Sequence, residues 1–159
     1  MQPLTPAHVQ QTLDDVLPGA KVTFFDESTA TSQQAADAIG CELGQIVKSL
    51  AFMVDGTPIL VLASGDQRVD DRKLATHYEV GRKKVKTATP AQCVEIYGYA
   101  PGGVPPVAHR RPLPTYIDDS LKRYQTVYAA AGAHNAIFPL TFDALVEITD
   151  GTVMDVKKE

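Results

Sequence analysis

Two cysteines, Cys41 and Cys93, are the only thiols among the 159 residues of this chain. They lie in neither a C-x-x-C nor a nucleophile motif, so no disulfide framework is expected and both read as core packing. No apolar run approaches the roughly 20 residues that span a bilayer, and Met1 to Ala7 has neither the basic nor the apolar part of a secretory leader. A cytoplasmic protein without a membrane partner is expected. Positive charge is also scarce: 15 Lys and Arg against 19 Asp and Glu leave a net charge of -4. Nonspecific nucleic-acid binding depends on neutralising phosphates, so DNA is not an expected partner and any tRNA contact must be local. His8, His77, His109 and His134 are scattered without zinc-site spacing, so no metal is expected. Paired catalytic carboxylates, a Ser-His-Asp arrangement and a phosphate-binding G-x-x-x-x-G-K-[ST] loop are missing as well.

What the sequence does contain is ordinary globular material. Its 44% hydrophobic and 21% charged residues leave no stretch polar enough to read as disordered, and the length suits one domain over residues 1–159. Val9, Leu13, Val16 and Leu17 share a face of a helix from Pro6 to Leu17, stopped by Pro18-Gly19. Lys21 to Phe25 reads as a short strand. Thr31 and Gln34 have capping-box spacing for a helix ending at Gly40. From Ile46 to Val54, strand alternation puts Ile46, Lys48, Leu50, Phe52 and Val54 on one face, with Val47, Ser49, Ala51 and Met53 on the other. Asp55-Gly56 is a type I′ turn signal, and Thr57 to Ala63 supplies the return strand. Val69 to Glu79 reads as a helix, and Thr89, Pro90 and Gln92 open another that ends near Gly98. Thr115 to Ile117, Thr126 to Ala131, Ala136 to Phe138 and Thr152 to Val156 read as strands, with a helix capped by Thr141 running through Ile148. Strands and short helices alternate irregularly, which predicts an α+β fold with a mixed sheet and helices packed outside it.

Lys48 interrupts an apolar strand row, and an unpaired buried ammonium is costly. Either it snorkels to water from a strand end, or it is a pocket ligand for an anionic or hydroxyl-bearing substrate. The Gly102-Gly103-Val104-Pro105-Pro106 loop could present rigid backbone amides to a ligand or be a surface turn. His134, in a glycine turn between strands, could face a cleft or cap one. Arg82, Lys83, Lys84 and Lys86, with Arg72 and Lys73 upstream, form the main cationic cluster, a phosphate contact or a solvated face. Asp66, Arg68 and Asp70 are spaced for a local salt-bridge turn.

The segments GQIVKSLAF (Gly44 to Phe52), LASGDQRVDDRKLA (Leu62 to Ala75), GYAPGGVPPVAH (Gly98 to His109) and AGAHNAIF (Ala131 to Phe138) resemble, in order, the YbaK/ProX family of tRNA editing domains. The resemblance implies a small fold with a mixed, partly barrel-like sheet that hydrolyses the ester between a misattached amino acid and tRNA, usually tRNA(Pro). It places the family's essential lysine on Lys48 and its G-x-x-x-P loop on Gly102 to Pro106. It further implies a cofactor-free reaction in which Lys48 holds the adenosine or ester region while the loop walls the amino-acid pocket, with His134 along its rim. Alanine, cysteine and 2-aminobutyrate are the implied amino acids, Arg82 to Lys86 the candidate acceptor-stem contact, and prolyl-tRNA synthetase a possible partner. Where the alanine-specific branch commonly has asparagine after the lysine, this chain has Ser49. Lys48 and Ser49 point to opposite faces of a regular strand, so a shared pocket requires a twist, a bulge or a strand end. A catalytically silent module that only binds aminoacyl-tRNA or an amino acid remains the alternative, and oligomeric state stays open.

Overall fold

The computed structural model describes residues 1–159. Five short helices surround one mixed sheet of eight strands: β1 (Thr23–Phe24), β2 (Ile46–Val54), β3 (Thr57–Ser64), β4 (Val85–Thr87), β5 (Thr115–Asp118), β6 (Thr126–Ala130), β7 (Ala136–Thr141) and β8 (Thr152–Met154). The expected α+β architecture is the one observed. The order is β1-β7-β6-β2-β3-β5-β8, with β4 attached to β2 beside this path. Pairs β2–β6, β3–β5 and β5–β8 are parallel, and the remainder antiparallel.

The β2–β3 hairpin is the centre of this arrangement. Asp55 and Gly56 both adopt positive φ, 48° and 81°, which a type I′ turn requires and which matches the twist of the two strands. Its register runs unbroken from Val54↔Thr57 to Val47↔Ser64. Side chains of β3 alternate between two cores: Leu60 and Leu62 join the larger, Ile59 and Val61 the smaller. A strand buried on both faces reads as a continuous apolar run, and each such leucine or isoleucine contributes about 1.5–3 kcal/mol by leaving water.

Helix α1 (Pro6–Val16) buries Val9 and Leu13 in the larger core, whereas Val16 is exposed. Helix α2 (Ser32–Ile39) has the predicted capping box and ends at Gly40 in the left-handed region. Helix α3 (Asp71–His77) closes the smaller core with Leu74 and Ala75, and α5 (Phe142–Thr149) puts Leu145 into the larger. Helix α4 (Pro90–Gln92) keeps its Thr89–Gln92 capping box but runs on into a π-helical turn, Cys93–Tyr97. The Tyr97 hydroxyl at the end of that turn meets the Phe52 and Ile59 carbonyls at 3.1 and 2.7 Å, tying it to the hairpin. No helix is long and apolar enough to cross a membrane.

Two local expectations are corrected. Asp66 pairs with Arg123, not Arg68, and Asp70 instead caps α3 by accepting the Arg72 amide. The Lys21 to Phe25 segment forms only a two-residue strand, because β7 pairs it at Thr23 and Phe24 alone. Asp118, Asp119 and Asp155 lie close together, and the Lys157 ammonium sits among them, 2.6 Å from Asp119 and 3.3 Å from Asp155.

Candidate functional site

A break in strand pairing makes the site. Along one edge of β2, β6 pairs with Ile46 and Val47, while β4 pairs only from Phe52 to Val54. Between them Lys48, Ser49 and Leu50 have no strand partner on that edge, and the Ala51 carbonyl accepts the Ala88 amide at 2.9 Å. Backbone groups alternate along a strand, so the amide and carbonyl of Ser49 point the same way as those of Ala51, into the opening. A cavity of about 330 Å³ occupies it, bordered by Lys48, Ser49, Leu50 and Ala51 together. Lys48 and Ser49 thus share one pocket without a bulge, because an unpaired strand edge can be approached from both faces.

Lys48 is the only charged residue lining this cavity. Its Nζ donates to the Gln67 carbonyl, in the turn that follows β3. Burial first, then the neighbouring Arg68 charge, hold its pKa below the ordinary lysine value, and Asp66 opposes them. A charge withdrawn from bulk water interacts more strongly with a neighbouring charge than one fully solvated. The Ser49 hydroxyl is buried and has no hydrogen-bond partner within the protein, a rare condition for a buried polar group.

The lid is formed by two segments that approach closely. Gly102, at φ 89°, stands against Ala30, to whose Cβ a side chain on Gly102 would come within 3.0 Å. Gly103 is packed against the β6–β7 turn, where an added Cβ would lie 2.9 Å from the Ala133 nitrogen. Its carbonyl accepts the Gly132 amide at 2.9 Å. Downstream, the His109 Nε2 lies 2.7 Å from the Pro105 carbonyl. Burial pushes the His109 pKa down, which favours the neutral ring donating Nε2–H to that carbonyl and bracing the loop.

Among the residues singled out in the sequence, Lys48, Ser49, Gly102 and Val104 line the cavity. Gly103, Pro105 and Pro106 do not: Gly103 and Pro105 act through the backbone contacts above, and Pro106 lines a different cavity behind the loop. His134 is not among the lining residues either. Its side chain is exposed, and its carbonyl accepts the Thr29 amide at 2.6 Å and the Thr29 hydroxyl at 3.2 Å. Thr29 does line the cavity, so His134 bears on the pocket through its main chain. Arg82 pairs with Asp71 at 2.9 Å and Lys84 lies 3.9 Å from Asp55. Lys83 and Lys86 are exposed. This cluster runs directly into Thr87 and Ala88, which border the cavity.

Sequence reasoning missed the walls supplied by Thr29, Ser32, Thr87, Cys93, Tyr128 and Ile137. Thr87 and Tyr128 carried no signal beyond strand propensity. Cys93 reads equally well as core, and burial raises its thiol pKa, which disfavours a nucleophilic thiolate.

A model of the aminoacyl-tRNA editing domain matches residues 26–148. The uncharacterized protein YwhH of Bacillus subtilis is 38% identical over 140 residues, covering 87% of each chain. A protein of Enterococcus faecalis named "Putative Cys-tRNA(Pro)/Cys-tRNA(Cys) deacylase EbsC" is 26% identical over 133 residues, 83% of this chain and 80% of its own. Proline–tRNA ligase of Staphylococcus aureus (strain Newman) shares 31% over 101 residues, 64% of this chain but 17% of the ligase. A solved structure described as "a putative trans-editing enzyme for prolyl tRNA synthetase" superimposes with a TM-score of 0.90 at 39% identity, over 97% of both chains.

Proposed function

We propose that this chain, which belongs to the aminoacyl-tRNA editing domain family and is an aminoacyl-tRNA deacylase, removes alanine, cysteine or 2-aminobutyrate from mischarged tRNA(Pro) as a free-standing protein. The observation that carries this reading is Lys48, the one charged residue among those lining a small cavity. Such a pocket suits an ester end with a compact uncharged side chain. Cavities that bind small ligands measure roughly 300–1,000 Å³, and this one is at the lower bound.

In the proposed reaction, water attacks the ester carbonyl, the tetrahedral oxyanion collapses, and the bond to the ribose oxygen breaks. The free amino acid leaves and the ribose oxygen takes up a proton. The vicinal ribose hydroxyl orients the water, so part of the catalysis belongs to the substrate. Lys48 holds the terminal adenosine or the ester region electrostatically. Ser49, with its unpartnered hydroxyl, is the candidate for hydrogen bonding to the aminoacyl group. Gly102 and Val104 wall the side-chain end. Pocket size discriminates only modestly, about 1–3 kcal/mol per methylene, which is why several small amino acids belong to one proposal. Lys83 and Lys86, exposed beside the cavity, are the candidate acceptor-stem contacts, with Arg82 and Lys84 partly engaged by acids. Prolyl-tRNA synthetase is the proposed partner on the strength of two relatives, the ligase that contains a similar segment and the trans-editing structure.

The test is single-turnover deacylation of tRNA(Pro) charged separately with alanine, cysteine, 2-aminobutyrate and proline, in wild type and Lys48→Ala. Loss of one or more misacylated esters, sparing of prolyl-tRNA and abolition by the substitution are expected. Survival of every ester in the presence of folded wild-type protein would defeat the substrate assignment.

A further inference from the structure

Arg123 lies outside the cavity, at the end of a 3-10 turn (Asp119–Arg123), yet its guanidinium converges on the chain just past β3. Nη1 donates to Asp66 Oδ2 at 3.0 Å and Nη2 to Asp66 Oδ1 at 2.7 Å. Nη2 also donates to the Ser64 hydroxyl at 2.9 Å, and Nε to the Ser120 carbonyl at 2.7 Å. The Ser64 hydroxyl in turn donates to the Gly44 carbonyl. Gly44 has no room for a side chain, since an added Cβ would meet the Tyr124 hydroxyl and come within 2.9 Å of both Arg123 Nη2 and Asp66 Oδ2.

This network fixes the turn after β3. Gly65 donates to the Ile46 carbonyl at 2.8 Å and Gln67 to the Ser64 carbonyl at 3.0 Å. The next group along the turn, the Gln67 carbonyl, is the acceptor of the Lys48 ammonium. A fork of two parallel bonds between guanidinium and carboxylate fixes both direction and distance, which a single ammonium does not. The two side chains are 42% and 30% exposed, so the fork stabilises the turn it holds by a modest amount while fixing its geometry.

We propose that Arg123 is a positioning residue for Lys48, acting through the Asp66 carboxylate and the Gln67 carbonyl, a role that rests on Lys48 being the working cation of the editing pocket. Asp66 then has two effects on Lys48: it shapes the turn that holds the ammonium, and its charge favours the protonated form against Arg68.

The experiment follows Lys48 directly and through the reaction. Protein carrying ¹³Cε-lysine is titrated by NMR, with Lys48 assigned from Lys48→Arg, in wild type, Arg123→Ala, Arg123→Lys and Asp66→Asn. Single-turnover deacylation of the misacylated tRNA(Pro) that wild type hydrolyses is measured on the same variants. Arg123→Ala is expected to lower the saturating rate roughly 10- to 100-fold, the scale of a misplaced catalytic group, while leaving half-saturation unchanged. Arg123→Lys, without the fork, restores part of that loss. The Lys48 titration moves to higher pH in Arg123→Ala, where Asp66 is no longer neutralised, and to lower pH in Asp66→Asn. Folded Arg123→Ala and Asp66→Asn with wild-type rates and unmoved titrations would overturn the proposal. If Arg123→Ala fails to fold, Arg123→Lys and Asp66→Asn decide by the same two readouts. Full activity in Lys48→Ala would instead overturn the role of Lys48, and Arg123's part in the reaction with it, an outcome recognisable without any Arg123 variant.

Discussion

Two sets of cations in this protein occupy contrasting places. Arg82, Lys83, Lys84 and Lys86 crowd one exposed flank, two of them facing acids, whereas Lys48 is the one charged residue lining the cavity, its ammonium half-buried and bonded to a carbonyl. Two unit charges 4 Å apart interact by about 1 kcal/mol in water and about 4 kcal/mol at the effective dielectric of a protein site. One shielded ammonium therefore outweighs several solvated ones for chemistry at a reacting atom. The flank is suited to weak, salt-sensitive attraction of a phosphate backbone.

The contrast can be broken most severely at Lys48. Lys48→Ala should lower single-turnover deacylation roughly 100- to 1,000-fold, as loss of a group aimed at a developing oxyanion does, in protein whose circular dichroism is unchanged. Displacing the loop beside the pocket should have the next largest effect. Gly103→Ala forces its new methyl against the Ala133 backbone, so a melting experiment should register a loss of about 1–3 kcal/mol for overpacking. The rate should fall in parallel as the loop is displaced.

A pH profile sharpens the comparison. In the proposed reaction Lys48 works as a cation, and burial lowers its pKa, so the enzyme-dependent rate should fall as pH rises through a value below the ~10.4 of free lysine. An alkaline limb at or above that value would mean that the amine is not shielded. The smallest effect should come from the flank: Lys83→Glu with Lys84→Glu should weaken half-saturation by tRNA only a few-fold at low salt, with the difference vanishing as ionic strength rises. A change in the saturating rate would show that the flank reaches the chemistry after all.

Features set by neighbouring residues were legible in the sequence. The Asp55-Gly56 turn, the Thr31 and Thr89 capping boxes and the alternation of β2 all depend on φ preferences and spacings within a few residues. Lys48 could be flagged by its misfit in an apolar row, and the family resemblance marked the loop that places Gly102 and Val104 in the cavity. Contacts across long separations were not legible. The Asp66–Arg123 fork joins residues 57 apart, so the local alternative, Asp66 with Arg68, looked equally sound. For His134 the resemblance marked a position near the pocket, and the atom that meets a cavity wall is its carbonyl, which every residue type has. The π-helical turn at Cys93–Tyr97 also escaped, because its side-chain spacing within one turn barely differs from that of an α-helix.

The interrupted edge of β2 also imposes an order on assembly. Its antiparallel partner β3 follows within a two-residue turn, and hairpins of this kind close in about 1–10 μs. The parallel neighbour β6 comes much later, as the bond from the Gln45 side chain to the Thr126 carbonyl, 81 residues apart, makes plain. Long-range pairing is slow because the loop must close before any contact rewards it. During vectorial synthesis both strands of the lysine-bearing hairpin therefore emerge well before β6, and the cavity is enclosed only after β6 has left the ribosome and docked.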